Sequence, residues 1–164
     1  MIRKTVLVIS LFIVLALTGC QEEENMKDIT QITIVSEAGS ILPELQWHEE
    51  YTITEGHVTF RRSGNADTSD VNSGSWEIPA DAHEISDLFL VLETVDLRSI
   101  ERVEPLDPPD GGGSSYYTIT FTNDKSFSLN YNPGVTYTNG ELIAKPLQDF
   151  LDTLQLPIEA VNRY

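Results

Sequence analysis

Apolar side chains recur at three- and four-residue steps at Ala82, Ile85, Leu88, Phe89, Leu92 and Val95, the spacing of one face of an α-helix. Pro79 and Asp81 precede the run, and a proline and an acid both suit a first helical turn. Further along, the period changes to two. Tyr117, Ile119 and Phe121 alternate with Tyr116, Thr118 and Thr120, Asn123-Asp124 supplies a turn, and Phe127, Leu129 and Tyr131 resume the alternation, which predicts a β-hairpin over 116–131. Leu147, Phe150, Leu151 and Leu154 then return to helical spacing in a segment that Pro146 opens and Pro157 stops.

The earlier part of the chain favours strands. Residues 29–35 are rich in β-branched side chains, with Thr30, Ile32 and Ile34 on one side, and residues 57–61 place Val58 and Phe60 on one face. Residues 42–47 and 51–53 fit neither period. Residues 62–75 (RSGNADTSDVNSGS) are turn chemistry apart from Ala66 and Val71 and read as an exposed loop or hairpin tip, after which residues 76–78 resume the alternation. The order β-β-β-α-β-β-α predicts an α+β domain, an antiparallel sheet covered by two helices.

Ahead of this domain lies a different pattern. Arg3 and Lys4 give a short positive start, residues 5–17 form an apolar run broken only by Thr5 and Ser10, and Leu17-Thr18-Gly19-Cys20 follows. The run is shorter than the roughly 20 residues a membrane-spanning helix needs, and the layout is that of a secretory signal. The tetrapeptide resembles a bacterial lipobox. That resemblance implies lipidation of Cys20, removal of residues 1–19, an acidic tether over 20–28 that includes Glu22, Glu23 and Glu24, and a single domain over 29–164. Two long acyl chains would hold the protein to the extracytoplasmic face of a membrane, at about 0.8 kcal/mol per buried methylene. Gln21 is not the aspartate associated with inner-membrane retention, so the expected membrane is the outer one in a Gram-negative cell and the cell membrane in a Gram-positive one.

Loss of residues 1–19 removes Arg3 and Lys4 and no acid, which leaves eight basic residues against 26 acidic ones, a formal charge of −18. Such a surface repels a phosphate backbone, so nucleic acid is not an expected partner. With Cys20 acylated, no cysteine remains for a disulfide, a thiolate metal site or a nucleophile. The 145 residues after the signal suffice to bury a core without such staples.

Few residues carry recognisable chemistry. In residues 105–115 (PLDPPDGGGSS), Asp107 and Asp110 stand on a proline-stiffened segment before three glycines; they are candidate contacts for a partner or cation, and the alternative is a plain linker. The glycines do not form a phosphate loop, because no lysine follows and the chain enters a strand. Asn65, Asp67, Ser69, Asp70 and Asn72 offer alternating oxygen donors, but Asp70 stands where a calcium loop needs its turn glycine and Trp76 where it needs a closing glutamate. No metal or cofactor is expected.

His48, His57 and His83 are dispersed, and His83-Glu84-Ile85-Ser86-Asp87 has Asp87 where a zincin helix needs its second histidine. His48-Glu49-Glu50 is either part of a composite site or a polar loop beside Trp47. No G-x-S-x-G elbow is present, since Ser75 after Gly74 lies in a loop, and a triad assembled from distant positions stays open. Trp47, Trp76 and tyrosines 116, 117, 131 and 137 are candidates for a ligand groove or for the core, with Tyr137 the one expected to be exposed.

Residues 56–156 resemble in layout the small emfourin-type domain: a strand ending in F-R-R-S-G, a polar loop, one helix, an aspartate-glycine loop, a Y-Y-T-I-T-F hairpin and a closing helix. That group includes metalloprotease inhibitors. Ser63-Gly64-Asn65 replaces the paired glycines expected after the first strand, and the preceding 30 or so residues have no counterpart, so no inhibitory residue carries over. The expected function is a non-enzymatic binding module on a lipid tether, with an envelope or secreted protein as partner. The alternatives are an inhibitor of a secreted metalloprotease and a hydrolase, the latter requiring a pocket that unites a histidine with carboxylates.

Overall fold

The computed structural model describes residues 28–39, 41–67 and 69–161. Its centre is an antiparallel sheet of six strands: β1 (Ile29–Glu37), β2 (Trp47–Thr54), β3 (His57–Gly64), β4 (Gly74–Ile78), β6 (Ser114–Phe121) and β7 (Ser126–Tyr131), in the order β4-β3-β2-β1-β6-β7. A two-stranded ribbon of β5 (Glu101–Val103) and β8 (Thr136–Thr138) stands apart. The helices are α1 (Ala82–Leu92), α2 (Glu141–Thr153) and the short α3 (Ile158–Val161). The architecture is α+β. Among the described residues no helix is long and apolar enough to cross a membrane; the expected signal over 1–19, Cys20 and the part of the expected tether up to residue 27 lie outside them.

One face of the sheet is the core. Ile32, Ile34, Ile53, Val58, Phe60, Ile119 and Leu129 are buried there against Ile85, Leu88 and Leu92 of α1 and Ile143, Leu147 and Phe150 of α2. Asp81 caps α1 by accepting the His83 N–H at 2.8 Å, satisfying one of the free donors of the first turn. Beyond α1, Glu93 Oε1 accepts the backbone N–H groups of Asp28 and Ile29, which fixes where the chain enters the sheet.

Several departures from the expected layout have physical causes. In β1 it is Ile29, not Thr30, that joins Ile32 and Ile34 in the core, because a bulge between Ile29 and Gln31 shifts the register against β6. Pro146 lies inside α2 rather than at its start. Ile143 extends the buried stripe of Leu147 and Phe150 one turn towards the N-terminus, and the carbonyl that loses its donor to proline belongs to Leu142, whose residue is exposed to water. Val95 lies past the end of α1 and packs on the core from the following turn.

The largest departure is at β2 and β3. Residues 47–54, which have no clear period, form a full strand, and β3 runs on to Gly64, so Arg62 and Ser63 belong to a strand and not to an exposed loop. The inward set of β2 is Trp47, Glu49, Tyr51 and Ile53, and that of β3 is Val58, Phe60 and Arg62. An acid and a base thus occupy core positions opposite each other. The rest of the polar segment folds back on the short helical turn Pro43–Leu45: Glu44 O accepts from Asp70 N and Ser69 Oγ, Gln46 O accepts from Asn65 N, and Val71 is buried.

Candidate functional site

The register of the sheet decides what shares its outer face. Across that face Glu77, Thr59, Thr52, Thr33, Thr118 and Ser128 form one row through all six strands, and each is half-buried or exposed. β-branched hydroxyl residues suit a wet pleated surface and pair across strands, as Thr118 and Ser128 do through their hydroxyls at 3.0 Å.

Nearer the β3–β4 edge the chemistry becomes denser. Glu37 of β1 lies opposite His48 of β2, which lies opposite Ser63 of β3. In the neighbouring row Glu50 lies opposite Arg61, and Arg61 opposite Ser75 of β4. His48 Nδ1 is 3.0 Å from Glu37 Oε1, and since an ionised carboxylate only accepts, Nδ1 carries the proton and donates. Arg61 Nη1 is 3.9 Å from Glu50 Oε1. His48, Glu50, Arg61, Arg62, Ser63, Gly74 and Ser75 line a groove of about 380 Å³. His48-Glu49-Glu50 is therefore strand, not loop, and its alternation sends His48 and Glu50 to the groove and Glu49 to the core.

Behind the groove wall, Arg62 Nε and Nη2 donate to Glu49 Oε1 at 2.8 and 2.5 Å, Nη1 donates to the Ala160 carbonyl, and the guanidinium carbon lies 5.2 Å from the centre of the Phe60 ring. A buried carboxylate and guanidinium are tolerable only when paired and hydrogen-bonded in this way. The pair also ties α3 to the sheet.

The other histidines do not join the groove. His83 is exposed on α1 and lies 3.0 Å from Asp87 one turn on, so the residue that displaces the second zincin histidine pairs with the first. His57 is exposed at the start of β3. Asp107 and Asp110 are both exposed in the connection from β5 to β6, and neither is brought to His48. Among the described residues no group of three or more His, Cys, Asp or Glu could hold a metal ion.

The glycines after Asp110 serve the fold itself. A Cβ on Gly39 would lie 2.0 Å from the Gly112 carbonyl oxygen, and one on Gly113 would lie 2.9 Å from the Glu37 carbonyl oxygen, so two backbones touch where β1 ends and β6 begins. Gly134, at φ 81°, receives Pro105 and Pro109, whose rings would meet a Cβ at 3.1 and 2.8 Å. These contacts pin both ends of the acidic loop. Leu106 stands fully exposed between them.

The aromatic residues sort mainly to the covered face. Tyr51 and Phe60 lie 4.6 Å apart with their rings tilted by 37°, Phe60 and Trp76 stack at 5.8 Å, and Tyr117, Tyr131 and Tyr137 form edge contacts at 5.7 and 5.0 Å. Burial raises the Tyr117 phenol above its usual range, and burial followed by Tyr117, Tyr137 and Glu141 raises that of Tyr131. Tyr137 is not the exposed ring the sequence suggests: it sits half-buried in β8, and its hydroxyl accepts from Asn130 N and Arg102 Nη1. His48, Glu50 and Ser75 were visible in the sequence, but their convergence with Arg61 and Ser63 was hidden because β2 had no readable period. A usable signal was Gly56, whose φ of 81° closes a tight turn between Thr54 and His57 and so sets His48 opposite Ser63. No protein family matches the chain, and no curated protein or solved structure is significantly similar to it.

Proposed function

We propose that this chain is a lipid-anchored protein of the bacterial envelope whose domain binds a partner through the groove on the open sheet face. The observation that carries the reading is the placement of His48, Glu50, Arg61, Ser63 and Ser75 in one recess on a face that, among the described residues, no buried side chain occupies, while the opposite face is filled by α1 and α2. The groove offers a cation, two hydroxyls, an imidazole and a carboxylate within one small area, the convergence of polar groups expected of a recognition site. The anchor on Cys20 would keep that site at the membrane surface, and the acidic surface would hold it off anionic headgroups and nucleic acid.

Crosslinking of the full chain in its native envelope tests the reading. A partner captured by the wild type should be lost with Arg61→Glu and kept when Asp107 and Asp110 are both changed to Asn; retention with Arg61→Glu overturns the groove as the site. Cys20→Ser should abolish lipid labelling and shift the protein out of the membrane fraction, and persistence of both would refute the anchor.

A second reading, inhibition of a secreted metalloprotease, is favoured by Leu106. It is a fully exposed apolar side chain on a loop whose flanking prolines are seated on Gly134, and a loop held rigid before binding loses little entropy on docking. Under this reading the protein lowers the protease's activity and Leu106→Asp removes the effect; equal inhibition by that variant excludes the loop.

A further inference from the structure

We infer that the groove has a capacity beyond binding, hydrolysis of a short carboxylic ester, with Ser63 as nucleophile and His48 as general base. This does not depend on a protein partner. Three adjacent strands place Glu37, His48 and Ser63 in one line across the sheet. The two nitrogens of an imidazole ring diverge, so with Nδ1 engaged by Glu37 on β1, Nε2 is the nitrogen left to serve as base for Ser63, the residue opposite His48 on β3. Directly opposed residues of an antiparallel pair have Cβ atoms roughly 5 Å apart, within reach of an imidazole and a hydroxyl.

The division of roles follows. Glu37 fixes the tautomer and orientation of His48 and is a positioning residue. Ser63 Oγ adds to the ester carbonyl while its proton passes to His48 Nε2. The bond from the acyl carbon to the alcohol oxygen then breaks, the alcohol leaves with that proton, and an acyl-serine remains. A water molecule gives a proton to Nε2 and adds to the acyl carbon; the carboxylic acid departs and the proton returns to Ser63. Arg61, two residues before Ser63 on the same face, is the cation nearest in register to steady the oxyanion.

The lining also selects the substrate class. His48, Glu50, Arg61, Ser63, Gly74 and Ser75 present no apolar side chain for a long acyl tail, and the groove holds about 380 Å³. It suits an acetyl-sized ester on a polar alcohol.

The test is labelling of the full-length, membrane-anchored chain with a fluorophosphonate, in which serine oxygen replaces fluoride on phosphorus, together with hydrolysis of p-nitrophenyl acetate. The adduct should map to Ser63. It should disappear with Ser63→Ala, fall by about a hundredfold with His48→Gln, and persist with Ser126→Ala, an exposed serine of β7 outside the groove. Glu37→Gln should slow both readouts, with partial rescue by Glu37→Asp, which a purely structural role would not give. Folding of each variant is checked by circular dichroism. No adduct on the wild type, an adduct that survives Ser63→Ala, or labelling undiminished by His48→Gln in folded protein, overturns the inference.

Discussion

Glu49 and Arg62 form an ion pair between β2 and β3, and so do their sequence neighbours Glu50 and Arg61, one residue further on in one strand and one residue back in the other. The chemistry is the same and the surroundings are opposite. The first pair faces the core, with side chains 3% and 10% exposed for Arg62 and Glu49 and a separation of 2.5 Å; the other faces solvent, 66% and 29% exposed for Arg61 and Glu50, at 3.9 Å. Water screens the outer pair and leaves both side chains free to do other work. The inner pair has lost that water and is bound by its own hydrogen bonds. A one-residue step along a strand therefore separates a buried structural device from a solvent-facing pair on the proposed recognition surface.

The largest effect should come from breaking the inner pair on one side. Arg62→Met removes both hydrogen bonds that Arg62 gives the buried Glu49 carboxylate and the one it gives the Ala160 carbonyl, and should lower the free energy of unfolding in urea by about 3–5 kcal/mol. Replacing both residues, Glu49→Leu with Arg62→Met, should recover most of that loss, since the uncompensated charge and not the missing attraction is what destabilises. A double variant no better than the single one would mean that the tie to α3 dominates.

The outer pair should behave differently. Arg61→Ala should change stability by less than about 1 kcal/mol, with a difference that shrinks as salt rises, while abolishing capture of a groove partner. A loss comparable to that of Arg62→Met would erase the contrast between the faces. The smallest effect lies at high pH. The phenols of Tyr117 and Tyr131 on the covered side hold their protons above the ordinary value of 10.0 in the folded state. The unfolded chain therefore ionises first, and stability that is intact below about pH 10 is lost as the pH rises through the folded values. Absorbance titration of the phenolates, followed alongside thermal melting, should show these two titrating late.

The same contrast explains what the sequence could disclose. The helix at 82–92 and the hairpin at 116–131 were readable because their buried positions are apolar, so period and burial coincide. In β2 and β3 they do not. Glu49 interrupts the inward set of β2, which leaves that strand without a hydrophobic period, and Arg62 extends the inward set of β3 past the point where its apolar pattern stops. The line of Glu37, His48 and Ser63 was invisible for the same reason, because it exists only once both strand registers are known. Asp107 and Asp110 were conspicuous in the sequence, yet the glycines beside them are accounted for by contacts within the fold. The β5–β8 ribbon, with β5 exposed throughout, left no hydrophobic pattern to read.

Under the proposed lipid anchor, β1 has a further consequence. It is the first strand of the described domain, yet it lies inside the sheet, hydrogen-bonded along its length to β2 on one side and β6 on the other. Tension on an anchor at Cys20 would enter the domain at Ile29 and run along this strand, loading two ladders in shear at once rather than peeling an edge one bond at a time. The domain would then resist being drawn out of shape by whatever its groove holds, and an atomic-force pull from the N-terminus should meet its main resistance at β1.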